Sequence, residues 1–480
     1  MKKLSALAVL LILIINLCIT QTQPASSDSA TPNSWSKKAP MQVARADLGV
    51  AQVDGKIYAI GGATKTIALN TPLRSPYGEG IVGINEQYDP VNDSWTYKSP
   101  MPTPRFSFAI ATHQGKIYCI GGAEADGTLS NVNEVYDTVT DAWERKTPIP
   151  QTFFPMYANV INGKIYVVGG NEFKAKYFNF LYDPTTDQWT TNTPMSNAPC
   201  DYSATEADGK IFVLGGVDLM SGGGYSNQIY NTKNDSWTYG RYPQSTVFGP
   251  SASVTTGIMA PKLIYLIGGG QSIVNGGQPL FPTQIFDPNR NSWSYGASML
   301  TGRTNFGVVN INDTLYAVGG YTYTLTSWYN GGTVLGGPMT PTAVNEQYFP
   351  VGYGMPDPEY LLKHTPPKIS LESPQNQTYN DSSIPLIVAF SKNTTWAAYS
   401  LDGQQNTTIA GNITIADIPN GVHNIALYAN DTFGNMGTEI ITFTVDKPEP
   451  FPTTAVIIFV IVIVIGISIS LLLYRKRKVN

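Results

Sequence analysis

The chain has 480 residues, of which only 13 % are charged, with a net charge of −4. That length exceeds one ordinary hydrophobic core and implies several domains or a repeat array. The charge balance supplies no basic field to gather phosphates, so no nucleic-acid partner is expected, and the 45 Gly, 34 Pro and 28 Tyr describe short strands joined by tight turns.

In chain order, Lys2 and Lys3 precede an apolar run from Leu4 to Leu17, too short for a comfortable membrane span and read as a secretory signal within residues 1–25. Next comes Asn33-Ser34-Trp35, a turn followed by a tryptophan, with no glycine pair ahead of it. The strand-like text GKIYAIGG (55–62) then recurs as GKIYCIGG (115), GKIYVVGG (163), GKIFVLGG (209), KLIYLIGGG (262) and DTLYAVGG (313). After the first five, an aromatic residue stands seven positions before a tryptophan, as in NEQYDPVNDSW (85–95) and NQIYNTKNDSW (227–237). Asp-Pro and Asn/Asp between them supply a tight turn, so each such pair is a hairpin. Upstream of each glycine pair lies a further run such as RADLGVAQV (45–53), joined through Asp-Gly, Gln-Gly or Asn-Gly. Each period of roughly 46 to 60 residues therefore holds four strands, the size of one propeller blade.

The glycine pair, the Tyr-Asp and the spaced Trp resemble the kelch repeat over about residues 33–350. The resemblance implies a β-propeller, here six-bladed, whose tryptophans pack between neighbouring blades. The last repeat reaches VNEQYFP (344–350) and lacks its Trp, so the strand beginning near Trp35 is expected to become the outer strand of the sixth blade and close the ring. Cys119 and Cys200 lie at two different repeats and are expected as separate buried thiols.

Residues 351–366 read as a linker, and from Pro367 to Lys447 the text turns to short alternating strands without a cysteine pair. An immunoglobulin-like β-sandwich is expected there. TWAAYSLDG and HNIALYANDTFGN resemble the small sandwich modules that precede the membrane anchor of archaeal surface proteins. Asn376, Asn380, Asn393, Asn406, Asn412 and Asn430 fit the glycosylation sequon. A spacer (448–454) leads to the uncharged run 455–474, long enough as a helix to cross a bilayer, and to a basic cytoplasmic tail (475–480). The tail places the repeats outside the cell, on a single-pass cell-membrane protein.

Titratable groups are sparse: the three histidines, His113, His364 and His423, are scattered, and no phosphate loop, nucleophile elbow or paired-carboxylate motif stands out. No metal, cofactor or catalytic residue is expected. If the first strand of each blade runs outward, Arg45, Arg105 and Arg303 stand at one face, joined by Tyr321, Tyr323, Trp328 and Tyr329 from the long loop 321–343. A second long loop, 63–84, belongs to the adjacent blade. Arginine forks and aromatic platforms suit a carboxylated sugar or a protein loop. The expected function is an anchored, surface-exposed module that binds a protein or glycan. The alternatives are a carbohydrate-active propeller enzyme resembling a sialic acid mutarotase and a structural envelope component.

Overall fold

The structure, a computed structural model, describes residues 30–66, 80–152, 156–171, 176–196, 200–217, 226–245, 247, 249–270, 273–274, 281–322, 327–329, 332–334, 338–448 and 453–477. The expected signal segment lies outside these residues. The chain divides into two units, Met1–Pro358 and Glu359–Asn480.

The first unit contains six four-stranded antiparallel sheets, each ordered from an inner to an outer strand. Sheet one comprises Gly49–Val53, Lys56–Ile60, Asn85–Asp89 and Ser94–Lys98, and sheets two to five follow the same sequence-consecutive plan. Sheet six is made of Gly307–Ile311, Thr314–Val318 and Asn345–Phe349, and its outer strand is Ser34–Lys38 from the start of the chain. Trp35 pairs in register with Tyr348 and their rings lie 4.8 Å apart, so the expected closure is observed. The inner strands of sheets one to six touch their neighbours in cyclic order, and that of sheet six returns to that of sheet one.

The hairpin joining the first two strands of sheet one turns on Asp54 and Gly55, with φ of 48° and 73°, the geometry that a two-residue turn requires and that Gly adopts without strain. Sheet six departs, with Asp313 at the second position and φ of 59°. Its carboxylate offsets that strain by accepting hydrogen bonds from the backbone N–H groups of Thr256, Met259 and Ala260. The glycine pairs answer to close packing. A Cβ on Gly62 would lie 2.7 Å from the Ala46 carbonyl oxygen, and the Gly62 N–H donates at 2.9 Å to the Arg105 carbonyl of sheet two.

A repeated clamp joins the sheets. Trp95 donates through Nε1 to the Ala39 carbonyl at 2.8 Å, while Asp93 accepts from the Ala39 N–H at 2.8 Å, so both backbone groups of one residue are held. Trp143 with Asp141 holds Ser99 in the same way, Trp189 with Asp187 holds Thr147, and Trp237 with Asp235 holds Thr193. Trp293 with Asn291 holds Arg241, and Trp35 with Asn33 holds Ala297. The tryptophans thus bridge adjacent sheets as expected; the turn Asp or Asn is the other jaw, a role its turn-forming chemistry concealed.

The long loop within sheet six pairs with the loop of sheet five, Ile273–Val274 against Gly332–Val334, and Gly332–Val334 pairs also with Ser327–Tyr329. Residues 351–357, expected within a linker, fall in the first unit, where Gly354 N–H donates to the Met259 carbonyl and Asp357 N–H to that of Gly257.

The second unit opens with helix α1, whose bounds Pro358–His364 straddle the division, and continues as two sheets. One has three strands, Ile369–Ser373, Ile384–Phe390 and Ile413–Ile415; the other has five, built around Gly421–Asp431 and Met436–Val445. Alternation places Leu386, Ala397, Ile425, Leu427, Phe443 and Val445 in one buried core. Of the six sequon asparagines, Asn376, Asn380, Asn393, Asn406 and Asn412 are exposed and Asn430 is half-buried. Helix α2, Thr453–Arg477, contains an apolar stretch, Ile457–Arg475, with a mean hydropathy of 3.1, long and apolar enough to cross a membrane.

Candidate functional site

The three arginines expected at a ligand face are internal. Arg45, Arg105 and Arg303 are 0 % exposed and paired with equally buried Glu86, Glu134 and Glu346 at 2.9, 2.9 and 3.0 Å. Each guanidinium also donates to the carbonyl of the first glycine of a pair: Gly61, Gly121 and Gly319. Burial pulls the Arg303 guanidinium down to about 10 against the opposing pull of Glu346, and burial likewise lowers Arg45. Fully desolvated and spent on carbonyls and carboxylates, they brace the sheets and present nothing to a ligand. Tyr321 is also fully buried, where its N–H donates to the Thr304 carbonyl. Tyr323 lies outside the described residues, as do the side chains of Trp328 and Tyr329, whose backbone forms the strand Ser327–Tyr329.

The six inner strands instead line a central cavity of about 510 Å³. Five lining residues in the left-handed conformation form a hydrogen-bonded run: Asp47, Ser107, Asp201, Gly249 and Asn305, with φ between 49° and 63°. Asp47 N–H donates to Asn305 O at 2.9 Å, Ser107 N–H to Asp47 O at 2.8 Å, Asn305 N–H to Gly249 O at 2.9 Å and Gly249 N–H to Asp201 O at 2.8 Å. The equivalent position in sheet three, residue 155, lies outside the described residues.

Asp47 is the singular group of this run. Its Oδ1 accepts from Asn305 Nδ2 at 2.7 Å and Ser107 Oγ at 3.2 Å. Burial raises its carboxyl to about 6 despite those bonds, with the Asp201 charge adding to the rise. Gln52, Thr112, Thr205 and Asn310 add neutral polar groups to the lining, and Ala51, Ile110 and Val254 add apolar wall. The described lining residues include Asp47, Asp201 and Glu206 and no Lys, Arg or His. A cavity of that sign repels a carboxylated sugar, which corrects the chemistry inferred from the arginines. Among the described residues no group of three or more His, Cys, Asp or Glu is placed to hold a metal.

The sequence carried a signal for this run. Arg45-Ala46-Asp47, Arg105-Phe106-Ser107 and Arg303-Thr304-Asn305 set a small polar residue two places after each arginine. Attention to the arginine alone passes over it.

Comparison with known proteins places these repeats. Residues 107–320 match the KLHDC2/KLHL20/DRC7 Kelch-repeats domain. The chain is 38 % identical over 84 residues to the mouse (Mus musculus) influenza virus NS1A-binding protein homolog, covering 18 % of this chain and 11 % of that protein. It is 35 % identical over 103 residues to alpha-scruin of Limulus polyphemus, covering 20 % of this chain and 10 % of that protein. The chain thus spans only about a tenth of the length of these curated relatives. The solved structure of YjhT aligns with a TM-score of 0.48 at 16 % identity, over 64 % of this chain and 96 % of that one. Residues 107–320 therefore carry kelch repeats, and the four-stranded sheets around them fit a kelch β-propeller.

Proposed function

We propose that this protein is a membrane-anchored binding module: a six-bladed kelch propeller held outside the cell by an immunoglobulin-like, glycosylated stalk, recognising a protein or a glycan without bond chemistry. One observation carries the reading. The repeat residues with the strongest chemistry, the Arg–Glu pairs and the Trp–Asp clamps, are consumed in joining sheets, which leaves a rigid ring with an accessible cavity. Rigid scaffolds that present loops and a concavity are suited to surface complementarity. A relative that shares part of this repeat text is named for binding another protein, which favours a protein ligand. The acidic lining argues for a partner that is neutral or basic where it meets the cavity. The basic run Arg475-Lys476-Arg477-Lys478 at the end of helix α2 argues for a cytoplasmic tail.

The test is a pull-down from surface extracts and a glycan array, both with the full chain in detergent micelles. A saturable ligand whose binding weakens in Glu206→Gln supports the reading; no ligand in either assay overturns it.

Asp47 favours a second reading, a carbohydrate-active enzyme, because a carboxyl near 6 facing a cavity is able to exchange a proton near neutral pH. Turnover of a sugar with a rate inflecting near pH 6, abolished in Asp47→Asn, would select this reading.

A further inference from the structure

We propose that His423, in the second unit, is a doubly protonated latch that holds a turn and a loop together and lets go when it loses a proton. Both ring nitrogens face acceptors: Nδ1 lies 2.7 Å from Asp402 Oδ2 and Nε2 lies 2.8 Å from the Pro419 carbonyl oxygen. A carbonyl cannot donate. Asp402 stands as a carboxylate, its other oxygen accepting the Asn424 N–H at 2.8 Å. Each ring nitrogen must therefore carry its own hydrogen, and the side chain is an imidazolium.

The ring is 5 % exposed and rests against Phe443 at 5.7 Å, so the geometry is fixed by the core. Burial alone would favour the neutral form; the bonds to Asp402 and Pro419 outweigh it and raise the proton affinity above that of an ordinary histidine. The titratable groups on the surrounding elements are Asp402 on the turn, Asp417 in the loop, and Glu439, Asp446 and Lys447 on and after the strand Met436–Val445. Of these, Asp402 is the one hydrogen-bonded to the ring.

The loop so held has a consequence further along the chain. Asn420, next to Pro419, donates through Nδ2 to the Lys447 carbonyl at 3.0 Å and accepts the Lys447 N–H at 2.9 Å. Lys447 precedes helix α2, which begins at Thr453. A neutral imidazole has one hydrogen for two acceptors, so deprotonation strands either Pro419 or Asp402. The Asn420–Lys447 pair then loses its fixed base. The sign follows from linkage: the folded unit binds this proton more tightly than the unfolded chain. The stabilisation is fully present below the ordinary histidine range and is lost as pH rises through the raised value.

The test uses the full chain in detergent micelles, labelled with ¹⁵N-histidine. His423 is assigned by its loss in His423→Gln or, if that variant does not fold, by exclusion with His113→Gln and His364→Gln. The expected result is protons on both His423 nitrogens at pH 7, a midpoint above the ordinary histidine value of 6.5, and a fall of at least about ten-fold in proton affinity in Asp402→Asn. Amide protection at Lys447, whose N–H donates to Asn420 Oδ1, corrected for intrinsic exchange, should drop as His423 deprotonates. A neutral His423 tautomer at pH 7, a midpoint unmoved by Asp402→Asn, or protection at Lys447 indifferent to the titration would each overturn the latch.

Discussion

Sheets six, one and two each bury an arginine against a glutamate, and among the described residues sheets three, four and five show no such pair. At the corresponding places the latter carry Phe153 with Phe180, Pro199 with Gln228, and Val247 with Gln284. The correspondence is structural for sheet five: the Val247 carbonyl accepts the Gly216 N–H as the Arg105 carbonyl accepts that of Gly62. Phe180, Gln228, Val247 and Gln284 are as buried as the glutamates they replace or the arginine they stand for. Within one chain, then, the two charges are present together or absent together. Physical chemistry requires this, because a lone buried charge is far more costly than either a paired one or none. The Trp–Asp/Asn clamp, by contrast, occurs in all six sheets. The clamp therefore defines the joint, and the ion pair is one of two ways to fill the space beneath it.

Breaking the ring inside the charged half should have the largest effect. Deleting residues 33–40 removes the outer strand of sheet six together with Trp35 and Asn33. A loss of more than about 5 kcal/mol is expected by chemical denaturation, the sum of a large aromatic and its joint. An unchanged melting temperature would mean the ring does not depend on closure.

Next in size, Arg45→Val alone leaves Glu86 buried and uncompensated, for an expected loss of about 3 to 5 kcal/mol. Arg45→Val with Glu86→Gln copies sheet five into sheet one and should recover most of it. Failure to recover would show that the two halves are not interchangeable.

Tryptophan burial varies from sheet to sheet within each half, Trp95 and Trp293 being buried and the other four clamp tryptophans half-buried. Trp95 in sheet one is 8 % exposed, while Trp189 in sheet three is half-buried. Trp95→Ala should cost about 3 to 5 kcal/mol and Trp189→Ala roughly 1 kcal/mol less, measured in the same denaturant.

The smallest effect is set by pH. The Asp47 carboxyl is raised from 3.8 to about 6, chiefly by burial, so the folded protein holds this proton more tightly than the unfolded chain. Its charge therefore opposes folding fully above about pH 6, and the opposition fades as pH falls towards 3.8. Asp47→Asn should raise the melting temperature at pH 8 and change it little near pH 4. An equal shift at both would show that Asp47 is not desolvated.

Much of this architecture was legible beforehand, for identifiable reasons. Trp35 without a glycine pair and Tyr348 without a tryptophan are complementary fragments, so the closing strand could be read from the text. The arginines were misplaced because a charged side chain in one sheet gives no local sign of its partner some 29 to 43 residues away. The signal lay across the repeats, where arginine and glutamate vanish together. Pairing of Ile273–Val274 with Gly332–Val334 was not legible, since the Asn-Gly beside each segment marks a local turn and says nothing of a partner nearly a whole repeat away. The cavity run was hidden for another reason: Asp47, Ser107 and Asn305 look like ordinary loop residues until the fold brings them together. His423 owes its charge to Asp402 and to the Pro419 carbonyl, and a backbone acceptor leaves no mark in sequence.

A double-mutant cycle on Arg105 and Glu134 tests the central claim most directly, that the repeat's charged residues are internal joints. Arg105→Val, Glu134→Gln and their combination are unfolded at equilibrium in the full chain. Each single change should be strongly destabilising, with the double close to wild type and a coupling of at least about 2 kcal/mol. Single changes that leave stability untouched and add without coupling would place these side chains in solvent and contradict the account.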